Sequence, residues 1–238
     1  MTKMVPTKIN GEYEIVLPKH RADRPEWYTE KGWEKKRLAS MHDHLGKGDI
    51  VFYVGSEEGE MPALCEMWGA KCVLFEPNDR VWPNTKVIYD ANGLGAPLAV
   101  FSGFAANHTG EKVPLILNGW PESAFGEVIH DHGFKELRDP QGIPQVKIDD
   151  LVEQYPELTP TAISLDVEGS EWEVLRGAEQ TMRKHHPKIW LSLHPEFLHE
   201  QYNEWGAELR RWLMDLGYTE ELLDYPLHEV HLYYHGNS

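Results

Sequence analysis

A strand, a glycine turn, a helix and a second strand follow one another directly, and this stretch constrains the fold more than any other. Residues 50–54 form an apolar run rich in β-branched and aromatic side chains, which is typical of a buried strand. Gly55 and Gly59 interrupt it, and apolar side chains at helical spacing follow. A second apolar run, residues 71–75, ends at Glu76. The succession predicts a βαβ unit and therefore an α/β fold with a mostly parallel sheet.

The same unit has the features of a nucleoside site. Glycines let the backbone turn tightly and approach a ligand closely, and the first N–H groups of the following helix face that ligand. Glu76 lies about twenty residues after the turn, where a carboxylate accepts hydrogen bonds from ribose hydroxyls. The spacing favours nucleoside binding over a βαβ unit with a chance pair of glycines.

The charge of the turn indicates which class of nucleoside ligand it would accept. The turn contains Ser56 and three carboxylates, Glu57, Glu58 and Glu60, in place of a third glycine. Three carboxylates would repel a diphosphate, which argues against an NAD-linked oxidoreductase. They would accept a ligand that carries an ammonium and a sulfonium and no phosphate, and S-adenosylmethionine is such a ligand.

Composition limits the partners. The chain has 238 residues, 41% of them hydrophobic, which suits one domain with a full core. Its net charge of −16 is the wrong sign for a nucleic-acid binder or for an acidic membrane surface. Cys65 and Cys72 fall in a predicted helix and strand, so we expect buried, reduced thiols. We find no signal peptide and no membrane-spanning run, so we expect a cytoplasmic protein.

Further strands and helices alternate along the chain, and their exits carry the candidate site. Strands are predicted at residues 97–101, 161–166 and 188–193, and residues 222–234 read as an antiparallel hairpin. Ligands bind beyond the carboxyl ends of such strands. The exits Gly55, Glu76, Ser102, Asp166 and His194 should therefore converge. Phe104 or Ala105 would border an adenine ring, although a plain exit from the strand explains them equally well.

The remaining segments are less regular. We divide the chain into an N-terminal segment, residues 1–48, and a main domain, residues 49–238. The N-terminal segment is either a cap over the site or a helix packed on the sheet edge. Residues 83–95 read as a loop rich in turn residues, and residues 111–145 as a β-hairpin-like insertion.

Helix ends follow from capping residues. Asp149 or Asp150 is a natural N-cap for a helix beginning near residue 146. One helix is predicted to begin after Asp166 and to end near His185. Asp166 itself would serve as its cap if it had no catalytic role.

Histidines and tryptophans outside these exits remain ambiguous. The adjacent His130, Asp131 and His132 fit surface polarity better than a metal site, because neighbours on a strand point to opposite faces. The same reading is favoured for a second set: His228, His231 and His235. Tryptophans in predicted loops would either stack on a sugar ring or simply cover the core, and they are Trp27, Trp33, Trp82 and Trp120.

At residues 165–178 the chain resembles the FkbM-type S-adenosylmethionine-dependent methyltransferases. The segment Leu-Asp-Val-Glu-Gly-Ser-Glu-Trp-Glu-Val-Leu-Arg-Gly-Ala is similar to that family's Asp-Val-Glu-Gly-x-Glu…Val-Leu-x-Gly-Ala signature. Residues 75–78, Phe-Glu-Pro-Asn, are similar to its second-strand motif. The chain departs from the family at Tyr53, where Asp is common, and in its glycine turn. The resemblance implies a Rossmann-like class I methyltransferase sandwich.

The resemblance also implies O-methylation of a hydroxyl on a sugar, a glycan or a small natural product. The transfer needs an in-line acceptor oxygen and removal of its proton by a base or a metal. Candidates for catalysis are Asp166, Glu168 and His194, and the same three would hold a divalent cation such as Mg²⁺. Candidates for binding the cofactor are Tyr53, Gly55, Ser56, Glu57, Gly59, Glu76, Pro77, Phe104, Ala105 and Asp166.

Two questions stay open at this point. For the amino group of the cofactor, Glu57 and a backbone carbonyl near Tyr53 are the alternatives. A non-catalytic binding or scaffold protein that kept the fold is the alternative to an enzyme. A small-molecule or sugar acceptor is the expected partner, nucleic acid and membrane are not expected, and a homo-oligomer is allowed.

Overall fold

The computed structural model describes residues 2–24, 32, 34–130, 141–226 and 228–236. The strands in these ranges are β1 (Met4–Ile9), β2 (Tyr13–Pro18), β3 (Ile50–Val54), β4 (Lys71–Phe75), β5 (Ala99–Phe101), β6 (Phe104–Ala105), β7 (Leu115–Leu117), β8 (Gln145–Val146), β9 (Ala162–Asp166), β10 (Lys188–Leu193), β11 (Tyr218–Asp224) and β12 (Val230–Gly236). The α-helices are α1 (Lys19–Ala22), α2 (Lys35–His44), α3 (Glu60–Met67), α4 (Trp82–Ala91), α5 (Ile148–Gln154), α6 (Glu171–Arg176), α7 (Glu179–His185), α8 (Pro195–Tyr202) and α9 (Gly206–Asp215).

Eight strands form the central sheet, in the order β11-β12-β10-β9-β3-β4-β5-β7. The four inner pairings, from β10 to β5, are parallel. The pairings of β5 with β7, β10 with β12 and β11 with β12 are antiparallel. The predicted α/β fold, with its mostly parallel sheet and its C-terminal antiparallel hairpin, is confirmed. Because the inner strands are parallel, β3, β4, β5, β9 and β10 all end at the same edge of the sheet.

Alternate residues of the inner strands face two separate cores. Phe52 and Val54 of β3 belong to the core that includes apolar residues of α5, α6, α7 and α9. Val51 and Tyr53 belong to the other core, which includes apolar residues of α2, α3, α4 and the β1–β2 hairpin. The two-residue period of a strand explains this division. Both faces of the sheet are therefore covered, which is why its strands are apolar throughout.

The N-terminal segment covers one face of the sheet. Leu38 and Met41 of α2 are almost fully buried in the same core as Trp190 of β10. The indole N–H of Trp190 donates to Ser40 Oγ over 3.0 Å. Helix α2 also packs against β11 and β12 at the edge of the sheet, which is the second of the two arrangements expected for it. Residues of this segment nevertheless reach the site, as described below.

Residues 83–95 were predicted as a loop, and this prediction is wrong for most of the segment. Helix α4 extends from Trp82 to Ala91, with Pro83 in its first turn, where proline is favourable because the missing N–H needs no partner. Its buried residues include Trp82, Thr85, Ile88 and Tyr89, at helical spacing. Turn-type residues such as Asn84 and Asp90 concealed that periodicity in the sequence.

The helix predicted from Trp172 to His185 is two helices, α6 and α7, separated at Gly177. A Cβ at Gly177 would lie 1.9 Å from the carbonyl oxygen of Ala106, so the backbone of β6's exit packs directly on this glycine. The Gly177 carbonyl accepts the N–H of Asp149. Close packing and a tertiary hydrogen bond thus interrupt a pattern that is helical on both sides.

Asp149 caps a helix, although not the one that the sequence indicated. Lys147 is the N-cap residue of α5, and Asp149 lies inside that helix. Its carboxylate accepts the backbone N–H groups of Gln180 and Thr181, at 3.1 and 2.8 Å. These N–H groups belong to the first turn of α7 and have no partner within the helix. The side chain therefore joins α5 to the start of α7.

The region 111–145 contributes an antiparallel strand to the central sheet. Strand β7, from this region, pairs antiparallel with β5, which precedes the region in the chain. The predicted hairpin-like element therefore includes a strand from outside residues 111–145. Strand β8 pairs with β6 in a separate two-stranded sheet. Residues 131–140 lie outside the described ranges. No helix in the part of the chain that the structure describes is long and apolar enough to cross a bilayer.

Candidate active site

A cavity lies at the carboxyl edge of the sheet, between the ends of β3, β4, β5 and β9. Its empty volume, which includes space open to solvent, is about 700 Å³. We call it the first cavity. Its lining residues come from all four strand exits and from α6, and they are Val54, Gly55, Glu57, Phe75, Glu76, Pro77, Gly103, Phe104, Ala105, Asp166, Val167, Glu168, Ser170 and Val174. The convergence of strand exits predicted from the sequence is therefore found for β3, β4, β5 and β9.

Glu76 lies at the wall of this cavity and is only 8% exposed. One carboxylate oxygen accepts the backbone N–H of Glu57 at 3.0 Å, and the other accepts that of Asn78 at 2.9 Å. Burial raises the pKa of Glu76 to about 8, although the two backbone N–H groups act in the opposite direction. Each oxygen keeps a second lone pair, so the carboxylate can still accept ribose hydroxyls.

Gly55 allows the turn to pack against β9. Its φ of +82° lies in the left-handed region, and a Cβ would be 1.9 Å from the carbonyl oxygen of Asp166. Gly59 has a φ of +89°, and a Cβ there would be 2.4 Å from the side chain of Thr85 in α4. Any other residue would push the turn away from its neighbours, so both glycines set the path of the turn beside the cavity.

The three carboxylates of the turn do not face the ligand together, which corrects the charge argument made from the sequence. Glu58 and Glu60 are 2% and 3% exposed and form ion pairs with Arg21 of α1, which lies 3.1 Å from Glu58. His20 also contacts Glu58 at 3.2 Å. The side chain of Glu57 alone is largely exposed. A buried cation from the N-terminal segment thus compensates charge that the sequence appeared to direct at the ligand.

Tyr53 and Ser56 do not line the first cavity. They border a second cavity together with Arg21, Glu60 and the residues shared with the first cavity, Gly55, Glu57 and Asp166. Of the predicted cofactor residues, Gly55, Glu57, Glu76, Pro77, Phe104, Ala105 and Asp166 line the first cavity. Gly59 lines neither and acts through the shape of the turn.

Asp166, Glu168 and His194 come together where β9 and β10 end. One ligand atom from each lies within 4.8 Å of the others. Nε2 of His194 is 3.8 Å from Asp166 Oδ1 and 3.7 Å from Glu168 Oε1. A third carboxylate, Glu229 Oε1, is also 3.7 Å away. The sequence indicated the first three but not Glu229, because it comes from the loop before β12 and only the antiparallel pairing brings it here.

The orientation of His194 is set by Glu171, the first residue of α6. Glu171 is fully buried, and its Oε1 lies 2.7 Å from Nδ1 of His194 and accepts the backbone N–H of Gly169. Nε2 therefore points toward the acidic cluster. Burial alone would lower the pKa of His194, but the hydrogen bond to Glu171 and the nearby carboxylates of Glu229 and Asp166 raise it to about 11.

This raised pKa bears on the predicted base. An imidazole with a pKa of about 11 is protonated at neutral pH and cannot accept a further proton. In this arrangement His194 is a cation that lies among the carboxylates of Asp166, Glu168 and Glu229. Burial raises the pKa of Asp166 well above its ordinary value, against the influence of Arg37 and His194.

Arg37 is a buried side chain that is ion-paired with Asp166, and the sequence did not indicate it. It is 1% exposed, donates to Ser164 Oγ at 2.8 Å and to Asp166 Oδ2 at 3.4 Å, and is ion-paired with Glu34. No local pattern separates it from its basic neighbours Lys35 and Lys36. Asp166 contacts Arg37 and His194 and caps no helix, since Ser170 is the N-cap residue of α6.

Among the other histidine candidates, those in the described ranges do not line the first cavity. His130 is exposed, and its ring lies 5.3 Å from that of His20, whereas Asp131 and His132 are outside the described ranges. His228 and His235 are exposed, but His231 is buried and contacts Glu229 at 2.9 Å, so it was wrongly assigned to the surface.

Of the four tryptophans predicted in loops, the structure describes Trp82 and Trp120. Trp82 is fully buried at the start of α4, and Trp120 packs edge-on against Tyr89. Both cover the core, and neither lines the first or the second cavity. Trp27 and Trp33 lie outside the described ranges.

Comparison with solved structures identifies the fold. A methyltransferase FkbM from Methylobacillus flagellatus KT is similar with a TM-score of 0.51 and 15% identity, over 85% of this chain and 59% of that chain. A precorrin 8w decarboxylase from Methanobacterium thermoautotrophicum is similar with a TM-score of 0.50 and 14% identity, over 86% and 90%. The present chain thus spans less than two thirds of that FkbM structure. At these identities the likeness shows a shared Rossmann-like fold.

The family is shown by the sequence itself. No curated protein matches the chain. The family model of the methyltransferase FkbM domain matches residues 49–220, which include the glycine turn, Glu76 and the whole acidic cluster except Glu229. The chain therefore belongs to the FkbM methyltransferase domain family, whose reaction implies S-adenosylmethionine as the cofactor.

Proposed function

We propose that the protein transfers a methyl group from S-adenosylmethionine to a hydroxyl oxygen of a sugar, a glycan or a small natural product. The observation that carries this proposal is the cluster of Asp166, Glu168 and His194 beside the first cavity. A hydroxyl is a poor nucleophile, and its methylation needs a group that removes its proton or lowers its pKa. The cluster supports the proposal because two of its carboxylates, Asp166 and Glu168, line the cavity that we assign to the cofactor.

The first cavity fits the nucleoside part of the cofactor. Glu76 offers carboxylate lone pairs for the ribose hydroxyls, and Phe104 and Ala105 give an apolar wall for the adenine ring. Gly55 lets the turn pack against the backbone carbonyl of Asp166 and so brings the turn and the exit of β9 together at the wall of the cavity. S-adenosylmethionine supplies, when bound, a methyl group on a positively charged sulfur. The carboxylates of Asp166 and Glu57, which line both cavities, would stabilise that positive charge.

The chain's own groups would act on the acceptor in two ways. Asp166 or Glu168 would accept the hydroxyl proton, and both line the first cavity. His194, held by Glu171, would orient these carboxylates and donate a hydrogen bond. An acceptor held in line with the breaking bond reacts faster because the geometry is already set.

The same three residues would also hold a divalent cation such as Mg²⁺. Two carboxylates and an imidazole are ordinary metal ligands. A histidine that binds a metal through one ring nitrogen commonly donates a hydrogen bond from the N–H of the other nitrogen to a carboxylate, and Nδ1 of His194 is paired with Glu171 in this way. A bound cation would lower the pKa of the acceptor hydroxyl. His194 would then bind as the neutral imidazole, and the cation would replace its positive charge.

The acceptor is expected to be a small molecule or a sugar. The net charge of −16 disfavours nucleic acid and acidic membrane surfaces as partners. A hydroxyl acceptor without negative charge meets no electrostatic barrier at the acidic cluster.

The proposal is tested first by binding. Titration calorimetry with S-adenosylhomocysteine should give micromolar binding to the wild type and a loss of at least tenfold in Glu76→Ala, since two ribose hydrogen bonds are removed. Exposed Glu153→Ala is the control and should bind as the wild type does. Absence of binding by the wild type would refute the proposal and leave a non-catalytic protein or one that binds a different ligand.

Turnover is tested second, with labelled S-adenosylmethionine and a panel of sugar and natural-product hydroxyls, with and without EDTA. Glu168→Gln and His194→Gln should retain S-adenosylhomocysteine binding and lose about 10²–10⁴-fold in turnover. Exposed Glu196→Gln, on α8, is the matched control. Methylation of nitrogen or carbon alone would contradict the proposal. A reversible loss with EDTA would show that turnover requires a divalent cation, and Glu168→Gln and His194→Gln would then be tested for a weaker affinity for that cation.

A further inference from the structure

Glu229 reaches the acidic cluster from a part of the chain that the family match does not cover. It precedes β12 and lies beyond residue 220, where that match ends. Strand β12 pairs antiparallel with β10, and Val230 lies opposite Leu193. Glu229 is therefore brought beside His194, the residue that follows Leu193, and its Oε1 is 3.7 Å from Nε2 of His194. The pairing of the two strands thus adds a third carboxylate to the two at the exit of β9.

Nε2 of His194 faces three carboxylates and is hydrogen-bonded to none of them. Asp166 Oδ1, Glu168 Oε1 and Glu229 Oε1 lie 3.8, 3.7 and 3.7 Å from it. His194 is only 2% exposed, and Nε2 has no hydrogen-bond partner among the described residues, which is uncommon for a buried polar atom. A metal ion with bonds of roughly 2.0–2.2 Å holds neighbouring ligand atoms roughly 3.0–3.5 Å apart. A contraction of less than about 1 Å would therefore bring these atoms into one coordination shell.

Two of these side chains are fixed by their other polar atom. Glu171 Oε1 lies 2.7 Å from Nδ1 of His194, which directs Nε2 to the cluster. Arg37 contacts Oδ2 of Asp166 at 3.4 Å, and Oδ1 is the oxygen that faces His194. Side chains that bind a metal ion are commonly held by such hydrogen bonds to the atom that does not bind it.

Glu229 is held in the same manner by His231. His231 is 2% exposed, and its Nε2 lies 2.9 Å from Oε2 of Glu229. The other oxygen, Oε1, faces His194. An ion pair between Glu229 and His231 alone would explain the position of Oε2, but it would not require Oε1 to lie beside a buried ring nitrogen that has no other partner among the described residues.

We propose that Glu229 is a fourth ligand of a divalent cation held by Asp166, Glu168 and His194, and that the site takes a transition-metal ion such as Mn²⁺ in preference to Mg²⁺. Mg²⁺ is usually bound by one or two carboxylates and keeps several waters, whereas imidazole is an ordinary ligand of transition metals. Three carboxylates and one imidazole leave less room for those waters and supply a nitrogen that Mg²⁺ does not prefer. Binding of the ion is independent of the reaction, but its action on the acceptor hydroxyl rests on the proposed function.

The test is a titration of metal-free protein with Mn²⁺, in which electron paramagnetic resonance measures the free ion. The wild type should bind one Mn²⁺ per chain and should bind Mg²⁺ at least about tenfold more weakly in competition. Glu229→Gln should weaken Mn²⁺ binding by about 100-fold, and His231→Leu, which removes the support of Glu229, by about tenfold. Exposed Glu196→Gln is the matched control, because it removes the same charge beside His228 of the same loop, and it should bind Mn²⁺ as the wild type does.

A second measurement locates the ion. At saturating Mn²⁺, pulsed electron paramagnetic resonance should detect a directly bonded nitrogen in the wild type and in Glu229→Gln, but not in His194→Gln. Circular dichroism shows whether each variant is folded. Glu229→Asp keeps the charge on a shorter side chain and should give an intermediate affinity, so it carries the test if Glu229→Gln does not fold.

Four results would overturn the inference: no Mn²⁺ binding by the wild type, equal Mn²⁺ affinities of Glu229→Gln and the wild type, an equal loss in Glu196→Gln, or Mg²⁺ binding as tight as that of Mn²⁺. S-adenosylhomocysteine is titrated into the same samples. Binding of S-adenosylhomocysteine without Mn²⁺ binding would refute the cation site and leave the proposed methyl transfer intact. Mn²⁺ binding without S-adenosylhomocysteine binding would support the cation site and refute the proposed function.

Discussion

At the scale of single residues, Glu76 shows how burial changes a side chain's chemistry. In the unfolded chain its carboxyl has a pKa of about 4.5, and burial between β3 and β4 raises this to about 8 in the folded protein. The folded state therefore binds this proton more tightly than the unfolded state does. Hydroxyl donors from a ribose would favour the ionised form and oppose this effect.

The first prediction follows from this shift. Between pH 4.5 and 8 the ligand-free native state carries a proton on Glu76 that the unfolded state has lost, so stability falls as pH rises through this window. Thermal unfolding of the wild type and of Glu76→Gln should therefore diverge, with the wild type losing stability relative to the variant from pH 5 to pH 9. Parallel pH profiles would contradict the raised pKa.

At the scale of elements, the long segments with regular periodicity were predictable, and the irregular ones were not. The strands β3, β4, β9 and β10 are runs of buried residues, and the sequence shows them directly. Helix α4 was missed because Asn84 and Asp90 resemble turn residues, although Trp82, Ile88 and Tyr89 are buried on one face. Tertiary packing outweighed local propensity there.

The second prediction concerns the link between α5 and α7. Asp149→Ala removes the acceptor of two backbone N–H groups at the start of α7, so we expect a loss of about 1–2 kcal/mol in the free energy of unfolding. Urea unfolding followed by circular dichroism measures it. Glu153→Ala, an exposed position on the same helix, is the matched control and should change stability by less than about 0.5 kcal/mol. Equal effects of both variants would exclude the cap.

At the scale of the whole molecule, the N-terminal segment and residues 49–238 share one core. Leu38 and Met41 of α2 pack in the same cluster as Tyr53 and Trp190, and Arg37 joins α2 to Asp166. The division at residue 48, made from the sequence, therefore separates parts that bury each other's apolar surface. The family match begins at residue 49, and apolar residues on both sides of that boundary are buried in the same core.

The third prediction is that the chain unfolds as one cooperative unit. Removal of residues 1–48 would expose the apolar face of the sheet and leave Asp166 without Arg37. A fragment of residues 49–238 should therefore lack a cooperative unfolding transition and fail to bind S-adenosylhomocysteine. For the intact chain, tryptophan fluorescence and far-ultraviolet circular dichroism should give coincident urea transitions. A stable, ligand-binding fragment would show that the segment is a separate cap.

The sequence by itself predicted the α/β class, the succession of buried strands along the chain, the glycine turn and the strand exits at which Glu76, Asp166, Glu168 and His194 lie. These follow from local periodicity and from the rule that parallel strands end at one edge. Only the tertiary structure decided which charges face a ligand, since Arg21, Arg37 and Glu229 come from segments distant in sequence. Ion pairs depend on distances between side chains, and only the packing of the whole chain sets those distances.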